Sequence, residues 1–223
     1  MSKLNLGFVG LSHLGLSYLA ASAQKKYRVI GVDTDKKKID QLNKLKTVYK
    51  EPLLKETINR NKKKIIFTNR FEDLRKCQIV FLSEDVSTDE KGNSSYKKIN
   101  KLIKKTIKVL NKKAVMVILS QVIPGFTRKV KLDGQRLYYK VETLIFGDAI
   151  KRALNPERII IGCKDPKKKI NNSLNKYLSS FQSPILKMRY ESAELAKISI
   201  NMFLASTIST TNMLSNISSK ISA

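Results

Sequence analysis

Short apolar runs rich in β-branched residues alternate with longer amphipathic segments along most of the chain. The runs have the length of strands, and the segments between them are long enough for helices. This alternation is typical of a parallel sheet with helices on both faces. We therefore predict an α/β fold of the Rossmann-like, doubly wound class, with strands near residues 4–9, 27–32, 64–67, 78–82, 114–119, 137–141, 158–161 and 185–188.

The last part of the chain has a different pattern. From about residue 191 to residue 220 neither glycine nor proline interrupts a helical pattern, which indicates one long helix. We predict a nucleotide-binding domain over residues 1–189, and the first helix of a second, dimerising domain over residues 190–223.

A formal net charge of +26, from 44 Lys+Arg against 18 Asp+Glu, raises the question of a polyanionic partner. The basic runs are dispersed, lysine dominates them, and aromatic residues do not alternate with them as a stacking platform for bases would require. We predict a lysine-rich solvated surface and no nucleic-acid partner. A functional polyanion-binding surface is the alternative.

Other classes of protein are disfavoured by what the sequence does not contain. No apolar run reaches the roughly 18 residues that span a bilayer, and the N-terminus does not have the pattern of a signal peptide. The two cysteines, Cys77 and Cys163, provide neither a disulfide framework nor a metal cluster. We predict a cytoplasmic protein without a membrane partner and without a metal.

A glycine loop, Gly10–Gly15, follows the first apolar run directly. It matches the G-x-G-x-x-G pattern of dinucleotide sites except at Ser12, and its last glycine allows close packing of helix on strand. Asp33 ends the second run at about the spacing of the carboxylate that binds a ribose diol. Because that carboxylate repels a 2′-phosphate, we predict NAD rather than NADP.

Five further segments lie in the same order as the motifs of one enzyme family. They are VIGVDTDKKKIDQL, QIVFLSEDVSTDEKGNSSY, ILSQVIPGFT, VETLIFGDAIKRALNPERIIIG and ESAELAKISINMFLA. With the glycine loop they make the chain similar, over essentially its whole length, to the UDP-glucose/GDP-mannose dehydrogenase family of nucleotide-sugar dehydrogenases.

The resemblance implies which residues hold the cofactor. Asp33 corresponds to the aspartate that binds the adenosine ribose, with Lys38 assisting, and Gln121 stands where a threonine touches NAD. The cofactor-binding residues implied in the glycine loop are Gly10, Ser12, Leu14 and Gly15.

The resemblance also implies an activity and a substrate. The family oxidises the C6 alcohol of a UDP- or GDP-sugar to a uronate, so we expect a nucleotide-sugar substrate. Glu142 corresponds to its candidate acid–base residue, and Lys197 and Asn201 to active-site residues. Together with Glu194, these last two share one face of the long helix.

Several positions depart from the family's motifs. Serine replaces the middle glycine at Ser12, threonines are replaced at Val86 and Gln121, and a glutamate is replaced by Phe146. The family's catalytic cysteine lies downstream of the long helix, so neither cysteine here corresponds to it. We expect a truncated chain that is inactive by itself and that dimerises through the long helix, by an apolar face comprising Ile198, Met202, Leu204, Ile208 and Met213.

Two alternative functions remain open at this stage. A β-hydroxyacid or 6-phosphogluconate type dehydrogenase shares the glycine loop and a helix carrying lysine and asparagine. A non-catalytic Rossmann module with affinity for polyanions is the other alternative, and the departures from the motifs favour it.

Overall fold

Ten strands and seven α-helices build the part of the chain that the structure, a computed structural model, describes, residues 4–46 and 49–221. The strands are β1 (Asn5–Val9), β2 (Arg28–Val32), β3 (Ile65–Thr68), β4 (Ile79–Leu82), β5 (Ser87–Thr88), β6 (Ser94–Ser95), β7 (Val115–Ile118), β8 (Leu137–Lys140), β9 (Ile159–Cys163) and β10 (Ile185–Arg189). The α-helices are α1 (His13–Gln24), α2 (Lys36–Asn43), α3 (Leu54–Arg60), α4 (Lys97–Val109), α5 (Ala149–Leu154), α6 (Asn172–Ser179) and α7 (Tyr190–Ile221).

Eight of the strands form one sheet in the order β10-β9-β8-β7-β4-β1-β2-β3. Neighbours from β3 to β8 all pair in parallel, whereas β9 runs antiparallel to β8 and parallel to β10. The predicted fold, a mainly parallel Rossmann-like sheet followed by a long helix, is confirmed.

Strand side chains alternate between two apolar layers, one on each face of the sheet. Phe8 and Phe81 pack into the layer covered by α1, α2, α3, α5 and α6. Val9 and Leu82 pack into the layer covered by α4 and the start of α7. Because both faces are covered, the central strands read as continuous apolar runs.

Two short elements lie between the main strands and helices. Residues Phe71–Lys76 form a 3₁₀ helix, and the polar loop after β4 contains the antiparallel hairpin of β5 and β6. Among the residues described, no helix is long and apolar enough to cross a membrane. The outer ends of the two predicted domains, residues 1–3 and 222–223, lie outside the described residues.

The strand order places a crevice beside the glycine loop. After β1 the chain builds the sheet towards β2 and β3, and after β4 it builds it the other way, towards β7 and β8. The loops at the carboxyl ends of β1 and β4 therefore diverge, which is where open α/β sheets bind ligands.

Candidate active site

The glycine loop turns sharply between β1 and α1. Gly10 has φ +85°, a left-handed conformation that favours glycine, and its amide donates to Val32 O at 3.0 Å. A Cβ on Gly10 would lie 2.8 Å from backbone atoms of Glu84, at the end of β4. The first glycine of the motif is therefore required both by conformation and by space.

Gly15 is fixed by the close contact between α1 and the strands beneath it. A Cβ there would lie 2.2 Å from Gly10 O and 2.6 Å from Ser83 Oγ. Ser83 Oγ itself donates to Gly10 O at 2.8 Å, so it cannot easily move away. Glycine at this position allows the first turn of α1 to approach the loop.

Ser12, in place of the middle glycine, uses its hydroxyl inside the protein. Ser12 Oγ donates to Ser83 O at 2.7 Å and accepts from the amide of Gly15 at 3.4 Å, as the N-cap of α1. The side chain is 4% exposed. The departure from glycine thus caps the helix whose N-terminus faces the crevice.

Asp33 lies beside this loop and is almost fully buried. Its carboxylate accepts from the amides of Leu11 and Asp35, both at 3.0 Å, and from Lys38 Nζ at 2.9 Å. Burial would raise the pKa of Asp33, but the hydrogen bonds from Asp35 and Lys38 outweigh it and hold the pKa below its ordinary value. Asp33 and Lys38 therefore form a charged pair at the carboxyl end of β2.

Glu142 and Lys197, both predicted as catalytic, form an ion pair. Lys197 Nζ lies 2.5 Å from Glu142 Oε1, and both side chains are largely buried. Glu142 Oε2 accepts from the amide of Leu144 at 2.9 Å, which fixes the carboxylate after β8. Residues far apart in the chain are thus joined at the carboxyl edge of the sheet.

A second polar contact lies one turn further along α7. Asn201 Nδ2 donates to Gln121 Oε1 at 2.9 Å, and both side chains are exposed. Gln121 follows β7, so this contact links α7 to the loop after the fifth parallel strand.

A cleft of about 570 Å³ connects the two groups of residues. Its lining includes Leu14 from the glycine loop together with Gln121 and Glu142, and also Ile198, which is half-buried. Lys197 and Asn201 bond directly to lining residues. The other predicted cofactor-binding residues lie next to this cleft and do not line it. They are Gly10, Ser12 and Gly15 of the glycine loop, and Asp33 and Lys38 beside it.

Comparison with known proteins identifies this arrangement. The family described as "UDP-glucose/GDP-mannose dehydrogenase family, NAD binding domain" matches residues 4–181. The chain belongs to this family. The predicted resemblance is confirmed, and so is NAD as the predicted cofactor. The β-hydroxyacid type dehydrogenase is disfavoured by this membership.

Two similar proteins align with nearly the whole chain, including residues after 181, and both are longer than this chain. UDP-glucose 6-dehydrogenase YwqF of Bacillus subtilis is 28% identical over 99% of this chain, and Uncharacterized protein MJ1054 of Methanocaldococcus jannaschii is 30% identical over the same share. The chain spans 52% of the former and 26% of the latter.

Solved structures agree in fold. The UDP-glucose dehydrogenase of the archaeon Pyrobaculum islandicum superposes with a TM-score of 0.85 at 22% identity, over 96% of this chain and 52% of its own. The GDP-mannose dehydrogenase of Pseudomonas aeruginosa gives 0.84 at 21% identity, over 93% and 51%.

Glu51 has a structural role that sequence reasoning missed. Glu51 is buried, and it accepts hydrogen bonds from the amides of Gly147 at 3.0 Å and Ala149 at 2.9 Å, at the start of α5. It also bonds His13 Nε2 at 2.8 Å. Burial would raise the pKa of Glu51, but these hydrogen bonds outweigh it and lower the pKa.

His13 also contacts a residue that departs from the family motif. Its ring stacks on Phe146, with 4.3 Å between centroids and 27° between planes. Phe146 is 80% exposed and lines the cleft, as does His13. The aromatic pair therefore forms an apolar wall where the family motif has a carboxylate.

Glu84 is a second buried carboxylate that the sequence alone did not single out. It follows β4, two residues before Val86, and its Oε2 would lie 2.8 Å from a Cβ on Gly10. It forms an ion pair with Lys98 of α4. Negative charge therefore lies close to the glycine loop and is balanced by a lysine.

Glu194 shares the helix face of Lys197 and Asn201 but contacts a different part of the protein. It is fully buried and accepts from the amides of Gly125 at 2.6 Å and Thr127 at 2.8 Å. Burial raises its pKa, although these hydrogen bonds oppose the shift. Glu194 holds the loop after β7 against α7.

Proposed function

We propose that this chain is the cofactor-binding part of a nucleotide-sugar dehydrogenase that oxidises the C6 alcohol of a UDP- or GDP-sugar to a uronate. The observation that carries the proposal is the pair of Lys197 and Glu142 at the cleft beside the glycine loop. A carboxylate can accept the proton of an alcohol, and a buried ammonium can stabilise the negative charge that develops on its oxygen.

The residues around the glycine loop fit NAD. The N-terminus of α1, capped by Ser12, favours an anionic pyrophosphate beside the glycine loop. Asp33 would bind the ribose diol with Lys38 beside it, and Leu14 and Gln121, which line the cleft, would contact the cofactor. NAD, when bound, supplies the acceptor for a hydride.

The catalytic residues would act on the sugar alcohol. Lys197 would stabilise the negative charge that develops on the C6 oxygen, because its ammonium is desolvated and held in place. Glu142 would accept the hydroxyl proton. Asn201 and Gln121 would fix a water molecule or a substrate oxygen through their amide groups.

Oxidation of an alcohol to a uronate passes through an aldehyde, and the resemblance to the family implies that a cysteine captures this aldehyde before the second hydride transfer. The thiols of this chain do not suit that role. Burial raises the pKa of Cys77 to about 12, and burial also raises the pKa of Cys163, so neither is present as a thiolate at neutral pH. Because the chain spans about half the length of the dehydrogenases it matches, we propose that the 223 residues alone bind NAD without completing turnover.

The domain division and the homodimer are proposals of the same kind. We propose that residues 1–189 form the nucleotide-binding domain and that α7 begins the second domain. From Met202 to Ile217 the side chains of α7 are exposed, including Phe203 at 76% and Leu204 at 60%. A second copy of the chain would cover this surface.

Calorimetric titration tests the cofactor part of the proposal. We expect the 223-residue protein to bind NAD more tightly than NADP, and Asp33→Asn to weaken NAD binding by about tenfold or more, as for a lost hydrogen bond to a charged group. Asp40→Asn, on the exposed side of α2, removes the same charge and should bind normally. Absence of NAD binding by the folded protein would refute this part.

Substrate binding tests the catalytic part. We expect Lys197→Met to weaken binding of UDP-glucose or GDP-mannose in the presence of NAD, because it removes the ammonium that would contact the C6 oxygen. Formation of a uronate by the 223 residues alone, followed by NADH absorbance, would contradict the proposed need for a further nucleophile.

A non-catalytic binding module remains the second candidate function. Glu84 favours it, because this buried carboxylate lies next to Gly10 and would repel a pyrophosphate bound at the glycine loop. Glu84→Gln separates the two functions. Tighter NAD binding by this variant supports the dehydrogenase, whereas no NAD binding by either protein supports the module.

A further inference from the structure

A large basic cleft lies at the edge of the sheet opposite to the candidate active site. Because β9 runs antiparallel to β8, the loop that follows β9 lies beside the amino end of β8. That loop, residues 164–170, forms the cleft together with residues 133–135 and the start of α7. The glycine loop and Glu142 lie at the carboxyl ends of the parallel strands, so the cleft is separate from both.

We call this cleft the basic groove and define it by its cationic lining residues, Arg128, Lys164, Lys167, Lys168, Lys169 and Arg189. Its volume is about 1330 Å³. A smaller recess of about 430 Å³ adjoins it, shares Lys169 with it, and adds Lys112 and Lys113. The positive charge therefore continues along this edge of the sheet.

Three acidic residues also line the groove, so its six cationic residues outnumber its carboxylates. Asp133 and Asp165 each accept a backbone amide two residues further on, at 3.0 Å. Glu191 pairs with Arg128. Within residues 4–46 and 49–221, no ion pair joins an acidic group to the four groove lysines. Their charge remains available to a ligand.

Part of this surface is held in place by packing. A Cβ on Gly134 would lie 2.4 Å from Lys164 Cδ, so the aliphatic stem of Lys164 lies directly against that glycine. Arg128 lies over the ring of Tyr190, 5.4 Å from its centroid. The ammonium of Lys164 is thus carried on a stem that covers the protein surface.

The chemistry of the groove selects among polyanions. Its free cations are mostly lysines, which bind phosphate as point charges. The aromatic ring in the lining belongs to Tyr138, which is buried, and its hydroxyl is engaged by Gln135 O and the amide of Asn171. Unpaired nucleic-acid bases would therefore find no stacking surface in the lining of the groove. A flexible phosphate chain without bases needs none.

We propose that the basic groove binds a linear inorganic polyphosphate chain. The ammonium groups of Lys167, Lys168 and Lys169 contact successive phosphates, and Lys164, whose stem packs on Gly134, contacts the chain beside them. Binding there does not require the candidate active site to be occupied, because the two sites lie at opposite edges of the sheet.

Fluorescence anisotropy with end-labelled polyphosphate, at about 0.15 M salt, tests the proposal. The test variant changes Lys167, Lys168 and Lys169 together to Gln. The matched control changes Lys101, Lys104 and Lys108 to Gln, because these exposed lysines of α4 carry the same total charge and lie outside the groove. Far-UV circular dichroism and thermal unfolding establish that both variants fold.

We expect the test variant to bind polyphosphate about tenfold more weakly than the wild type, with a shallower salt dependence, and the control to change less than twofold. Equal losses in the two variants would overturn the proposal, because they would show a diffuse charge effect. Failure of the wild type to bind would overturn it too. Tighter binding of a single-stranded oligonucleotide of equal charge would also overturn it, because nucleic acid would then be the better ligand of the groove.

Discussion

Replacement of Gly15 by alanine tests the packing on which the glycine loop depends. The new methyl group would lie 2.2 Å from Gly10 O and 2.6 Å from Ser83 Oγ, more than 1 Å inside ordinary contact distance for the first. Overpacking costs about 1–3 kcal/mol, and alanine returns at most about 1 kcal/mol of helix propensity. Since one of the two atoms is backbone, we expect a net loss near 2 kcal/mol.

Urea unfolding followed by circular dichroism, without NAD, measures this loss as a lower midpoint at unchanged slope. For a chain of this length the melting temperature should fall by about 4–8 °C. Lys101→Ala on the exposed face of α4 is the control, because it also places alanine in a helix but creates no contact in the interior. We expect the control to change stability by less than about 0.5 kcal/mol. A Gly15→Ala protein as stable as the wild type would refute the argument.

Two further predictions concern the core and α7. Lys140 is buried and donates to Tyr18, and burial lowers its pKa to about 8. Between about pH 8 and pH 10.4 this lysine is neutral in the folded state and protonated in the unfolded state, so the free energy of unfolding should rise with pH. Lys140→Met should remove this rise in urea titrations, and an unchanged pH profile would contradict it. Light scattering should give a dimer for the 223-residue protein, a monomer for Phe203→Glu, and a dimer for Lys104→Glu on α4, whereas a monomeric wild type would contradict the proposed interface.

The sequence was most informative where a short motif determines its own local geometry. The glycine loop and the spacing to Asp33 lie within one β-α-β unit, so their arrangement follows from the order of the elements, whereas the cap by Ser12 and its bond to Ser83 O were not predicted. The approach of Lys197 to Glu142 was expected only through resemblance to a family. Their spacing in the chain does not predict a distance of 2.5 Å.

Other features depend on contacts between distant segments and could not be predicted in this way. Glu51 caps α5 and bonds His13, and no local pattern links these three elements. The antiparallel direction of β9 likewise has no signal in its apolar sequence, although it decides where the following lysines lie. The dispersed lysine runs looked like a uniform solvated surface, and the fold gathers some of them into one groove.

The contacts of α7 show how far the long helix is part of the nucleotide-binding unit. Glu191, Glu194, Lys197 and Asn201 recur every three or four residues, and each bonds a residue outside the helix. This spacing keeps them on one face, so about three turns of α7 are held against the sheet and its loops. Beyond Asn201 the side chains are exposed up to Ile217. The positions of Lys197 and Asn201 are therefore determined by contacts within the described residues, and the free part of α7 begins where those contacts end.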